Sequence, residues 1–371
     1  MSRNNYTIGL AECQAQAAKI VDLTNNRYVI DEETGECLEI LTDRNKRGRE
    51  RPWRTGRINA QRVAAACKLL AAKPTVEGSA HWNKRADRLE KCGTHLEFGI
   101  WHGQGEGGSD LKKLIKADFC TQRICPLCGW RRSLKIQASV RKILQAAEES
   151  GSNYEYLMLT LTIPNVIGDD LPAAITKMMA AWKRLSETKR FEDAVCGWYR
   201  GLEITHNVDR GSRSFDTYHP HFHTLLMVKR SYFKGKGYIT QKEWLQLWQN
   251  AVRDQSITQV DIRKVKPKNG KTDIVGAVCE VAKYTVKPSG YIVDDDAELT
   301  CSAVEVLDSA LHGRRLVAFG GVMKQLRDKL QLDDETDGDL AIVGTRNVSG
   351  DPDEVMSYFW HVGYAQYIKN S

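Results

Sequence analysis

The chain has 371 residues, 42% of them hydrophobic and 27% charged, with a formal net charge of +7. That is enough apolar material for two or three domains with real cores, and no apolar run approaches the ~20 residues that a membrane-crossing helix needs. The N-terminal sequence lacks the charged-then-apolar layout of a secretion signal. A cytoplasmic protein without a membrane partner is therefore expected, with its ten cysteines as thiols or metal ligands rather than disulfides.

In chain order, residues 1–79 read as a basic, partly helical region. Its basic run, "DRNKRGRERPWRTGR" (43–57), is followed by an amphipathic helix over 58–73 that Pro74 stops. Residues 80–150 hold clustered cysteines, a glycine-rich loop (102–110) without phosphate-loop spacing, and a helix over 130–150. From 151 to 331 the pattern alternates: strand 154–164, helix 171–191, strands 197–207 and 218–228, helix 240–252, strand 258–265 and helix 272–287. The fold class is thus α+β. The β-α-β-β-α-β order predicts an antiparallel sheet of split β-α-β (ferredoxin- or RRM-like) topology with helices on one face, preceded by a metal-binding extension. A late strand (314–321) and helix (322–331) follow. Residues 332–371 read as an acidic C-terminal tail, within which 355–368 has no assignable role. The uneven charge, basic early and acidic late, favours a polyanionic partner such as nucleic acid.

"FCTQRICPLCGWRR" (119–132) gives Cys120-x4-Cys125-x2-Cys128. Two thiolates on a Cys-Pro-Leu-Cys-Gly knuckle, with a third just upstream, suit tetrahedral zinc. Cys92 is the natural fourth ligand and His95 the alternative. Four protein ligands leave no open position, so this zinc is expected to be structural. The flanking Arg123, Arg131 and Arg132 are expected to contact DNA.

"YHPHFHTLLMV" (218–228) places His219, His221 and His223 at alternate strand positions, hence on one face. Imidazoles are costly to bury without partners, and a metal ion would be one. A hairpin with strand 197–207 could bring Glu203 opposite them. Two imidazoles and a carboxylate suit Mn2+ or Mg2+ acting as a Lewis acid on a phosphate. In "CEVAKYTVKP" (279–288), Glu280 and Tyr284 share a helix face at i,i+4, with Lys283 and Lys287 nearby. Adjacent cations favour the phenolate of Tyr284, a potential nucleophile. The competing reading of this helix is an ordinary charged surface.

Together "MLTLTIPN" (158–165), "HPHFH" and "KYTVK", in this order, resemble the three motifs of the histidine-hydrophobic-histidine (HUH) endonucleases. More narrowly, they resemble the plasmid rolling-circle replication initiators of the single-tyrosine branch, whose glutamate lies four residues before the tyrosine. The resemblance covers about residues 90–325 and makes 151–331 the nuclease domain. It implies that His221 and His223 hold the metal with Glu203 as third ligand, His219 being able to replace Glu203. It further implies that Tyr284 attacks a scissile phosphate at the plasmid double-strand origin, leaving a 5′-phosphotyrosine and a free 3′-hydroxyl primer. Lys283 or Lys287 would stabilise charge on the phosphate. Glu280 would act as general base on water, releasing the enzyme by hydrolysis, with strand transfer the other route of termination. A host helicase and polymerase are the implied partners, beside the origin DNA.

Two other classes fit parts of the sequence. A related HUH transposase would need a Tyr-x3-Tyr where this chain has Glu280-x3-Tyr284, and a relaxase carries its tyrosine ahead of the histidines. A non-enzymatic zinc- and RRM-like nucleic-acid binder would need exposed aromatics on the central strands, where histidines stand instead.

Overall fold

The computed structural model describes residues 19–23, 26–31, 34–45, 47–73, 78–151, 153–235, 237–266, 287–332, 338–343, 348 and 350–370. Glu280, Lys283 and Tyr284, and the helix expected over 272–287 except Lys287, lie outside them. The chain forms two compact units, one of residues 1–131, 292–304 and 339–371 and another of 132–291 and 305–338. The divide falls inside a helix, Pro126–Glu149 (α3), where the sequence reading set a boundary at 150. Among the described residues no helix is long and apolar enough to cross a membrane.

The first unit is built on a seven-stranded sheet. Lys19–Leu23 (β1), Asn26–Ile30 (β2) and Cys37–Ile40 (β3) form one side. His95–Trp101 (β4) and Leu111–Ala117 (β5) form the other, and Glu354–His361 (β11) and Gln366–Lys369 (β12) complete the order β1-β2-β3-β12-β11-β4-β5. The segment 355–368, which had no assigned role, thus joins the two halves of a sheet, with Phe359 opposite His95. The helix expected from residue 58 begins five residues earlier, as Trp53–Ala72 (α1). The basic run does not delay it because two of its members face inward. Trp53 donates from Nε1 to Asp43 at 2.7 Å and packs edge-on against Phe98 and Trp130. The buried Arg57 donates to the carbonyls of Leu89 and Glu90, at the end of the helix Ser79–Lys91 (α2).

The second unit carries a five-stranded antiparallel sheet. Its strands are Tyr154–Thr162 (β6), Gly197–His206 (β7), Tyr218–Lys229 (β8), Asp261–Lys264 (β9) and Val317–Gly320 (β10), in the order β10-β7-β8-β6-β9. The helix expected over 171–191 is two, Leu171–Ser186 (α4) and Lys189–Ala194 (α5), because Thr188 caps the second by accepting from the Phe191 amide. Gln241–Val252 (α6) follows β8. Ala297–Leu311 (α7), counted with the first unit up to Val304, and Gly321–Lys329 (α8) come later.

Helices cover both faces of this sheet rather than one. On one face Phe222 packs between Trp182 of α4 and Trp248 of α6, and the Trp248 indole donates to the Thr162 carbonyl at 2.7 Å. On the other, Ile136, Val140, Ile143 and Leu144 of α3 join Tyr156, Tyr199, Leu225 and Met227 in a core that also holds Met323 of α8. That apolar half of the face continues, along the same alternation on β8, into His223, His221 and His219. Phe222, wholly buried, thereby fixes which side the histidines take. Phe222→Ala is expected to destabilise this unit by about 3–5 kcal/mol, read as a lower urea midpoint of its unfolding transition by tryptophan fluorescence.

Candidate metal centres and active site

Four sulfurs meet in the first unit. Cys92 caps the C-terminus of α2, and Cys120 follows β5. Cys125 immediately precedes α3, which Pro126 opens, and Cys128 lies one turn in. Neighbouring Sγ atoms stand 3.5 to 3.7 Å apart. Zinc–sulfur bonds of about 2.3 Å in a tetrahedron set sulfurs about 3.8 Å apart, so the spacing fits a four-thiolate ion. The chemistry agrees. Hydrogen bonds from Cys125, Cys128 and Cys92 draw the Cys120 thiol well down. Cys92 is pushed up, chiefly by its bond with Cys120, and Cys125 chiefly by burial. Packed this closely the thiols oppose one another's ionisation, and a dication among them offsets that repulsion.

Several neighbours differ from expectation. Gly129, the glycine of the Cys-Pro-Leu-Cys-Gly knuckle, makes no turn there: it lies inside α3, where its amide donates to the Cys125 carbonyl at 2.8 Å. The glycine that the turn requires is Gly93, at φ +64°, where a Cβ would come within 2.4 Å of Leu127. His95 points elsewhere, stacked on Phe359 with ring centroids 4.4 Å apart; Cys92 is the fourth member of the group. Arg131 is buried, donates to the carbonyls of Leu340 and Ala341 at 2.9 and 2.8 Å, and lies over the rings of Trp53, Trp130 and Phe119. Its burial lowers its pKa to about 10, and its guanidinium is occupied inside the fold rather than offered to DNA. Arg132 is buried too, and Arg123 half-buried.

In the second unit the β7–β8 register sets Glu203 directly opposite His221, with Gly201 opposite His223 and Thr205 opposite His219. On the other side of β8, Thr160 and Thr162 of β6 stand opposite His223 and His221. The carboxylate Oε2 of Glu203 lies 3.0 Å from His223 Nε2 and 3.8 Å from His221 Nε2. Apart from these two imidazole contacts, this buried oxygen has no hydrogen-bond partner. An orphaned buried carboxylate oxygen between two imidazoles needs a further positive partner.

The imidazoles are prepared for the same role. His221 Nδ1 lies 3.0 Å from the His219 carbonyl, and His223 Nδ1 lies 3.2 Å from the Thr160 hydroxyl. A carbonyl only accepts, so His221 carries its proton on Nδ1 and turns the Nε2 lone pair toward Glu203; the threonine hydroxyl permits the same tautomer at His223. Burial lowers the pKa of His221, favouring the neutral ligand form. Burial works to raise that of Glu203, but His223, His221 and Lys287 together outweigh it and hold the group below the usual carboxylate value. Glu203, His221 and His223 offer ligand atoms within 4.8 Å of one another. His219, half-buried with its ring centroid 5.3 Å from that of His221, contributes its carbonyl to this arrangement and is not a member of the group. Among the described residues, this trio and the four cysteines are the groups able to hold a metal ion.

One residue had no signal in the sequence. His206, at the end of β7, is buried and stacked on Tyr218 with ring planes 4° apart. Its Nδ1 lies 2.8 Å from the Gly290 carbonyl and its Nε2 2.9 Å from Asp216. It thereby fastens to the sheet the turn Pro288–Gly290, which follows Lys287 directly. Its partners lie 10 and 84 positions away, so no local pattern marks it.

The Replication protein family matches residues 111–368. A "Protein rep" of Bacillus amyloliquefaciens is 37% identical over 349 residues, covering 89% of this chain and 97% of that relative. Another, from Streptococcus pneumoniae serotype 2, is 33% identical over 335 residues, covering 90% and 96% respectively. No solved structure matches the chain. The chain belongs to the Replication protein family and is an initiator of rolling-circle plasmid replication.

Proposed function

We propose that this initiator is itself the nicking enzyme, a site-specific single-strand DNA endonuclease and strand transferase with the HUH nuclease fold in residues 151–331. The observation that carries the reading is the trio Glu203, His221 and His223 on one sheet face. Lys287, three residues after Tyr284 in the sequence, acts electrostatically on that same Glu203.

In this reading Glu203, His221 and His223 hold Mn2+ or Mg2+, and the ion, when bound, supplies Lewis-acid polarisation of the scissile phosphate. The His219 carbonyl fixes the tautomer of His221, and the Thr160 hydroxyl permits the same one at His223. The Tyr284 oxygen, losing its proton, bonds to phosphorus as the bond from phosphorus to the 3′ oxygen breaks, and that oxygen takes up a proton. The products are a 5′-phosphotyrosine and a 3′-hydroxyl. One phosphoester replaces another, so no nucleotide triphosphate is consumed. Lys287, with Lys283, offsets charge on the phosphate. Glu280 then draws a proton from water, and that water releases the enzyme by hydrolysis; strand transfer is the alternative termination. The 3′ end primes a host polymerase, and a host helicase opens the duplex, in the cytoplasm.

The four thiolates of Cys92, Cys120, Cys125 and Cys128 hold structural Zn2+. Cobalt(II) added to metal-free protein is expected to give the charge-transfer absorbance of a tetrahedral thiolate site, saturating at a single ion. Cys125→Ser is expected to remove that absorbance and lower the melting temperature.

For the nuclease, protein and Mn2+ incubated with labelled single-stranded origin DNA should give a covalent adduct that survives denaturation. Tyr284→Phe should abolish it; tight binding with no adduct from the wild-type chain would instead favour the non-enzymatic binder. Glu280→Ala should keep nicking within about tenfold while slowing enzyme release by the roughly 10²–10⁴-fold typical of a lost general base. Release at the wild-type rate would remove Glu280 from the scheme.

A further inference from the structure

A cavity of about 320 Å³ opens beside the metal-site histidines, lined by Thr160, Thr162, Gln241, Gln259, Val260, Asp261 and Arg263. It is continuous with the candidate active site through shared residues. Thr160, which lies 3.2 Å from His223 Nδ1 through its hydroxyl, stands opposite His223 on one side and opposite Asp261 of β9 on the other. The sheet face therefore runs, across two strand spacings of about 4.8 Å each, from the imidazole of His223 to the carboxylate of Asp261.

The lining distinguishes among ligand chemistries. Asp261 holds the Arg263 Nε at 2.9 Å, so the charges cancel and the cavity is not built for a phosphate. Among the described residues no aromatic ring lines it, so none of these stacks a base face. What it offers is an edge of donors and acceptors. The Asp261 carboxylate and two threonine hydroxyls accept, the Arg263 guanidinium donates, and the exposed Gln259 amide does both. Gln241 is fixed by donating to the Val260 carbonyl at 2.8 Å, which leaves its amide oxygen to accept. A neutral pocket of mixed donors and acceptors at the small end of ligand-site volumes matches the hydrogen-bonding edge of one nucleobase.

We infer that this cavity is a base-reading subsite for one nucleotide flanking the scissile phosphate, with Gln259, Asp261 and Arg263 as its specificity-determining residues. The inference rests on the nuclease reading above. The same arrangement would couple recognition to chemistry, because a base seated against Thr160 touches the residue that orients His223.

The test uses the full chain, Mn2+ and single-stranded origin oligonucleotides carrying each of the four bases, one position at a time, around the nick. The wild-type chain is expected to prefer one base by about tenfold or more at one flanking position, as a well-made edge contact does. The double variant Gln259→Ala/Asp261→Ala is expected to lose that preference at that position alone. Arg263→Ala, at an exposed edge, is expected to weaken it in the same place. Should the double variant cleave too poorly to profile, equilibrium binding of the same oligonucleotides reads the same preference. Cleavage or binding with an unchanged profile at every position overturns this inference and leaves the nuclease reading standing. Failure of the wild-type chain to cleave at all overturns both.

Discussion

The candidate active site depends on one register, that of β7 against β8. Side chains alternate along a strand, so a slip of one residue would turn Glu203 away from His221 and carry it to the face filled by Trp182 and Trp248. Two features hold the register. At the closed end, the Asn207 amide donates to the Thr217 carbonyl at 3.0 Å and the Asp216 amide to the Asn207 carbonyl at 2.8 Å. The Asn207 side chain ties Ser212 and Ser214 into the loop. Along the strand, Phe222 sits between two histidines in sequence and is buried among the tryptophans of α4 and α6. A phenyl ring that must be inside leaves its neighbours no choice but the opposite face.

That face is divided. Where β8 carries Leu225 and Met227, α3 covers it and the core closes. Where β8 carries His223 and His221, polar groups take over, and each imidazole has its Nδ1 beside an oxygen before any ion is considered. Burial alone would make this half of the sheet costly, since desolvation disfavours both the Glu203 carboxylate and charged imidazoles. The surroundings resolve the cost in part: His223, His221 and Lys287 hold Glu203 below the usual carboxylate value despite its burial. The remaining imbalance is the Oε2 atom with no hydrogen-bond partner, which a cation would satisfy.

Much of this was legible because it is local. Alternation placed three histidines on one face, Cys-x4-Cys-x2-Cys announced a thiolate cluster, and the order of strands and helices in 154–265 gave the sheet. What was not legible depends on distant partners. Arg131 resembled a DNA contact because its neighbours in sequence are basic, but its guanidinium is held by carbonyls 209 and 210 positions away. The segment 355–368 looked unassignable because its partner strand begins at His95. His95 itself, a metal-ligand candidate by spacing, stacks on Phe359 from that same far segment. His219 shares the alternation of the other two histidines, and only the position of its ring, set against Glu203, separates it from them.

The two candidate metal groups differ in a way that assigns them different work. Four thiolates saturate a tetrahedral ion and leave it no open position, so an ion there can only hold the ends of α2 and α3 and the loop after β5 in place. Two imidazoles and one carboxylate leave positions unfilled for any divalent ion, and oxygen from a substrate can take them. The surroundings follow the same division. All four cysteines are buried, whereas His223 keeps 24% of its side chain exposed and borders the polar cavity toward β9. The two tasks call for different ligand sets, because a set tight enough to stabilise structure is too complete to admit a substrate.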